Sequence, residues 1–122
     1  LHHAFDHYYW TGFYLVDPER PRELVIGPYQ GTLGCLRIPF DKGVCGACAR
    51  TGQIQNVPDV EAFPGHIACA SSTRSELVLP VWNGKGDLLG VLDLDSDTPA
   101  AFTAEDEAWL APLLAEVFKD AI

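Results

Sequence analysis

Apolar and polar positions alternate with period two along WTGFYLV (10–16), and the polar stretch DPERPR separates it from a second strand pattern, ELVIGPY (23–29). CLRIPF (35–40) reads as a short strand and QIQNV (53–57) as another. Between them GVCGACARTG (43–52) predicts a short helix closed by Gly52. SELVLPVW (75–82) and LLGVLDLDS (88–96) flank NGKGD (83–87), whose Asn, Gly and Asp residues predict a hairpin. From residue 102 the period changes. Trp109, Leu110, Leu113, Leu114, Val117 and Phe118 recur at helical spacing behind Thr103, a suitable N-cap, with three acids in the first turn. Pro112 lies inside that pattern and predicts a kink or a break. The opening LHHAFDHYY reads as the tail of a helix, and residues 58–72 as a long loop of the kind that carries function. Strands grouped mid-chain with helices towards the ends predict an α+β fold, an antiparallel sheet with helices packed mainly on one face.

Strand parity turns this pattern into a prediction about chemistry. Trp10, Gly12 and Tyr14 fall on one face of their strand, opposite Thr11, Phe13 and Leu15. Asp93 and Asp95 share a face with Val91, while Leu92 and Leu94 point the other way. Glu76 shares a face with Val78 on the hairpin partner. A turn centred between Lys85 and Gly86 sets Glu76 opposite Asp95. A two-residue turn at Asn83-Gly84 sets it opposite Val91, diagonal to Asp93. Either register gathers three carboxylates on one face of one hairpin. Directly opposed like charges destabilise a sheet, so such a cluster lies at a solvated edge, shares a proton, or meets a cation. The first is the plain reading. The others describe a site that binds an ammonium and keeps one acid protonated by crowding and desolvation.

Length and charge narrow the classes. The 122 residues form one domain with enough chain to bury a core unaided. A net charge of −9 excludes the basic face that nucleic-acid binding needs. No apolar run reaches the roughly 20 residues of a membrane span, and no signal peptide is visible, which points to the cytoplasm. Four cysteines without secretory signs read as reduced thiols rather than a disulfide scaffold. Cys45 and Cys48 make a Cys-x-x-Cys pair near a helix start, where thiol pKa values are expected to fall. The plain alternative for both is a small core residue. Zinc would need Cys35, Cys69 or histidines to complete its ligands, without a second paired knuckle. Cys69 differs from the rest. It sits in a polar loop among Ala68, Ala70 and Ser71, where successive backbone N–H groups favour an exposed thiolate nucleophile. His66 is near it in sequence, without an assigned role.

WTGFYL, GCLRIPF, GVCG, GHIAC, SELVLP and GVLDLDS, in this order over about residues 10–118, resemble the free methionine-(R)-sulfoxide reductases, enzymes of GAF fold. The resemblance implies a GAF-like domain over residues 1–122, with about six antiparallel strands flanked by helices and the C-terminal helix on one face. It implies a small enclosed pocket, often a homodimer, and a family N-terminal helical segment of which only about nine residues stand before WTGFYL. By resemblance Cys69 is the catalytic thiol, Cys35 the resolving cysteine and Cys45 a second recycling thiol. Glu76, Asp93 and Asp95 bind the sulfoxide oxygen and the substrate ammonium, and Trp10 and Tyr14 enclose the methyl and sulfur end. The implied substrate is free L-methionine (R)-sulfoxide, the implied reductant thioredoxin, and neither metal nor organic cofactor is required. Cys48 matches no family position. A non-catalytic GAF module that binds a small molecule as a sensor is the competing reading, and a zinc or redox-switch domain a further one.

Overall fold

The computed structural model describes residues 10–30, 35–63 and 73–120. The predicted helical tail in 1–9, together with His66 and Cys69, lies outside the described residues.

Six strands form one antiparallel sheet: β1 (Trp10–Asp17), β2 (Arg20–Gln30), β3 (Arg37–Pro39), β4 (Gln55–Val57), β5 (Ser75–Trp82) and β6 (Leu88–Ser96). Their spatial order is β3-β2-β1-β6-β5-β4, so β1 and β6 occupy the centre. Among the described residues two helices, α1 (Gly43–Thr51) and α2 (Ala104–Phe118), and a short 3-10 turn at Val60–Ala62 accompany the sheet. β2 is longer than its apolar core suggests, whereas CLRIPF and QIQNV contribute only three paired residues each.

The NGKGD turn decides the register. The Asn83 side-chain oxygen accepts from the backbone N–H groups of Lys85 and Asp87, both at 2.9 Å. Gly86 adopts φ 85°, a conformation that glycine takes at little cost. The hairpin is thereby centred between Lys85 and Gly86, and Glu76 pairs with Asp95, Val78 with Asp93. On the other side of β6, Trp10 pairs with Asp95 and Gly12 with Asp93.

The sheet separates two cores. Trp10, Tyr14, Leu24, Ile38, Val78 and Val91 pack with Val44, Cys45 and Cys48 of α1. Leu77, Leu79, Val81, Leu92 and Leu94 pack on the opposite face with Leu110 and Leu114 of α2. The helices therefore cover opposite faces, and the expectation that both lie mainly on one face is wrong. The reason lies in the strands: Leu77, Val78, Leu79 and Val81 of β5 and Val91–Leu94 of β6 are buried whichever face they point to, so both faces of the sheet require a cover. Gly46 lets α1 approach closely, since a Cβ there would meet the Pro39 carbonyl oxygen at 2.7 Å.

Gly52 ends α1 in the left-handed region at φ 70°, as predicted. Its N–H donates to the Cys48 carbonyl at 2.8 Å. At the start of α2 the Asp106 carboxylate accepts from the Thr103 backbone N–H at 2.7 Å. α2 runs unbroken through Pro112, so of the expected kink or break the break does not occur. Pro112 removes one bond to the Ala108 carbonyl, but both residues are on the exposed side where water can satisfy that oxygen. Leu110 and Leu114, one turn apart, are the buried anchors of α2, while Trp109, Leu113 and Val117 are exposed.

Candidate active site

The α1 side of the sheet carries an acidic patch inside an apolar layer. Glu76, Asp93 and Asp95 are 6%, 4% and 6% exposed, so the solvated-edge reading of the cluster fails. Hydrogen bonding links Glu76 to both aspartates. The Oδ1 atoms of Asp93 and Asp95 are nevertheless buried without a hydrogen-bond partner. Burial, then repulsion from Asp95 and Glu76, hold the Asp93 carboxyl well above the ordinary carboxylate range. Asp95 is held up in the same way by burial and the nearby Glu76. Asp93 and Asp95 therefore keep their protons to higher pH than isolated aspartates do.

Aromatic rings wall this patch on β1. Trp10 stacks on Tyr14 with ring centroids 5.7 Å apart and an interplanar angle of 26°. Tyr29 of β2 stacks on Trp10 as well, at 5.6 Å and 16°. Gly12 makes this possible. A Cβ there would stand 2.5 Å from Trp10 Cη2 and 2.5 Å from Tyr29 Cβ, so only a bare backbone lets the indole lie along the sheet. Tyr14 is buried, and burial together with the carboxylates keeps its hydroxyl protonated by pushing its pKa up. That hydroxyl donates to the Cys35 carbonyl at 3.0 Å, which ties the Cys35 segment to the acidic patch.

The cysteines divide by environment. Cys35 is disulfide-bonded, whereas Cys45 and Cys48 are free thiols. Cys45 points into the patch, its Sγ 3.8 Å from Glu76 Oε2. The expectation that a helix start lowers the Cys45 and Cys48 pKa values is overturned. Burial first, then Asp93, Glu76 and Asp95, push the Cys45 thiol well up. Burial alone raises Cys48 to about 12. A helix terminus offers a fraction of a charge, which complete desolvation outweighs. Cys48, fully buried in the α1 core, is the small hydrophobe that its plain reading describes.

Cys45, Glu76 and Asp93 are also the described residues whose donor atoms come close enough to hold a metal ion. Sequence reasoning thus brought together Trp10, Tyr14, Glu76, Asp93 and Asp95, and the structure gathers them with Cys45. It missed Gly12 and Tyr29. Their signal was the Gly12–Tyr29 pairing across β1 and β2, which a register interrupted by an irregularity hides from simple counting.

Residues 4–118 match the GAF domain family. The chain belongs to that family. This GAF chain is 49% identical over 107 residues to GAF domain-containing protein A of Dictyostelium discoideum, covering 88% of the chain and 66% of that relative. It is 46% identical over 110 residues to the free methionine-R-sulfoxide reductase of Escherichia coli, covering 90% of the chain and 64% of the enzyme. Among solved structures it resembles the free methionine-R-sulfoxide reductase of Neisseria meningitidis in complex with its substrate. The TM-score there is 0.82 and the identity 46%, over 92% of this chain and 65% of that one. The GAF chain thus spans just under two thirds of the length of these relatives. Among the described residues no helix is long and apolar enough to cross a membrane.

Proposed function

We propose that this GAF chain reduces free L-methionine (R)-sulfoxide to methionine through a thiol cycle. The observation that carries the reading is the pair of buried, unpartnered carboxylate oxygens on Asp93 and Asp95 beside the Trp10–Tyr14 stack. One wall is acidic, with Asp93 and Asp95 holding their protons more tightly than free aspartates, and the other is aromatic. A free amino acid with an ammonium at one end and a methyl sulfoxide at the other complements both. The identity to reductases that act on this substrate supports the same reading.

The chemistry begins at Cys69. Its thiolate attacks the sulfoxide sulfur while a protonated carboxyl of the Glu76–Asp93–Asp95 cluster gives its proton to the oxygen. The oxygen is a poor group to displace until it is protonated, which is why a carboxyl kept neutral at pH 7 matters. The protonated oxygen departs as water, and a water then attacks the Cys69 sulfur and breaks its bond to the substrate sulfur. Methionine leaves with two electrons gained, while Cys69 is left as a sulfenic acid. The Cys35 thiol attacks that sulfur, water departs, and a disulfide remains. An external dithiol of the thioredoxin class then reduces the disulfide by exchange. The disulfide already formed at Cys35 supports its resolving role. Cys45, held as a neutral thiol, is poorly suited to attack from its present position, so its recycling role requires movement away from the carboxylates.

Methionine release from prereduced protein, without added reductant, tests the reading with separate R and S epimers. About one equivalent from the R epimer alone is expected. Cys69→Ser should release none, and Cys35→Ser should release one and stall. Release from both epimers, or from neither, counts against the proposal.

A further inference from the structure

The arrangement around Cys45 suits a ligand better than a nucleophile. Its Sγ, a carboxylate oxygen of Glu76 and one of Asp93 all lie within 4.8 Å of one another, and all three residues are buried. A tetrahedral ion bound at ordinary zinc–sulfur and zinc–oxygen lengths spans a sulfur–oxygen edge of about 3.6 Å. The Cys45 Sγ to Glu76 Oε2 separation is 3.8 Å. One edge of a coordination polyhedron is therefore in place within a few tenths of an ångström. A separate observation points to a ligand as well: Asp93, 96% buried by its 4% exposure, carries an Oδ1 that no hydrogen bond satisfies. Asp95, paired across from Glu76, carries a second such oxygen.

We propose that Cys45, Glu76 and Asp93 bind a divalent cation of the zinc class, which competes with the substrate ammonium for the acidic patch. One thiolate with two carboxylates selects a borderline ion. Hard magnesium and calcium gain nothing from sulfur, and copper(I) favours a softer set. Three protein donors leave a fourth position for water or for Asp95, as in sites that exchange a ligand. Coordination would deprotonate the thiol that burial otherwise keeps neutral. This donor set is not the four-cysteine zinc site considered from the sequence, because it uses a single thiol and leaves Cys35 and Cys48 out. The cation binding stands on the geometry alone, whereas the competition rests on the function proposed above.

Cobalt(II), titrated anaerobically into the prereduced chain, is the probe. The expected result is a thiolate-to-cobalt charge-transfer band that zinc abolishes by displacement and Cys45→Ser removes. Asp93→Asn should weaken cobalt binding by about tenfold or more, since even outer partners of a metal site are worth roughly 10–100-fold. A band that persists in Cys45→Ser overturns the proposal, because another thiol then holds the ion. So does the absence of a band while circular dichroism shows a folded chain. Steady-state turnover supplies the second readout: zinc should raise the apparent KM for the R epimer and leave kcat unchanged, and a fall in kcat alone overturns the competition. Cobalt binding without any sulfoxide reduction would uphold the cation site and sink the reductase reading. Reduction without cobalt binding would do the reverse.

Discussion

Asp93 and Asp95 hold their protons in the folded chain above the pH at which an unfolded aspartate releases them, because burial and mutual repulsion disfavour the charged forms. The sign of the consequence is fixed. From the ordinary aspartate range, with a reference pKa of 3.8, up to the raised folded values, the native state binds more protons than the unfolded state. Stability therefore falls as pH rises through that window. Urea midpoints measured from acidic to mildly alkaline pH should decline for the native chain. For Asp93→Asn, which removes a carboxyl that must ionise, the decline should be shallower and the alkaline midpoint higher. The same substitution should depress sulfoxide reduction, a residue-level exchange of stability against chemistry. Equal slopes for the two proteins would show that Asp93 is ionised when folded.

At the scale of elements, the contact between β1 and β6 sets the shape of the site. A Cβ at Gly90 would run into the Tyr14 carbonyl oxygen and stand 2.9 Å from the Leu15 Cα, both backbone atoms that cannot swing aside. Gly90→Ala should therefore separate the two central strands and cost about 1–3 kcal/mol or more, as overpacking does, read as a lower urea midpoint. It should also weaken substrate binding, since Tyr14 moves with β1. Much of this architecture was legible beforehand. Parity alone put Trp10 with Tyr14 and Asp93 with Asp95, because the strand period is two whatever surrounds it. The NGKGD turn offered two registers, and the Asn83 side-chain bonds chose between them. What local pattern could not supply was depth. The placement of α1 depends on Gly46 meeting the β3 edge. The thiol pKa values depend on what buries Cys45 and Cys48, and the continuity of α2 on which side of Pro112 meets water.

At the scale of the whole molecule, the sheet is a wall between one layer that holds the acidic patch and one that holds none of it. Leu110, buried on the far face, anchors α2 against β5 and β6 side chains. Leu110→Ala should cost about 2–5 kcal/mol of stability while leaving the apparent KM for the R epimer unchanged below the new melting temperature. A changed KM would mean that the sheet transmits strain between its faces. The strand order carries a further meaning for how the chain is made. Trp10, on the first described strand, lies beside Asp95 on the last, and Asp93 and Asp95 enter only with β6. During synthesis the aromatic half of the site emerges early, Glu76 follows with β5, and Asp93 and Asp95 come only with β6. A nascent chain that ends before β6 thus has its aromatic wall and Glu76 but neither aspartate, and the site is completed only when β6 pairs with β1 and β5.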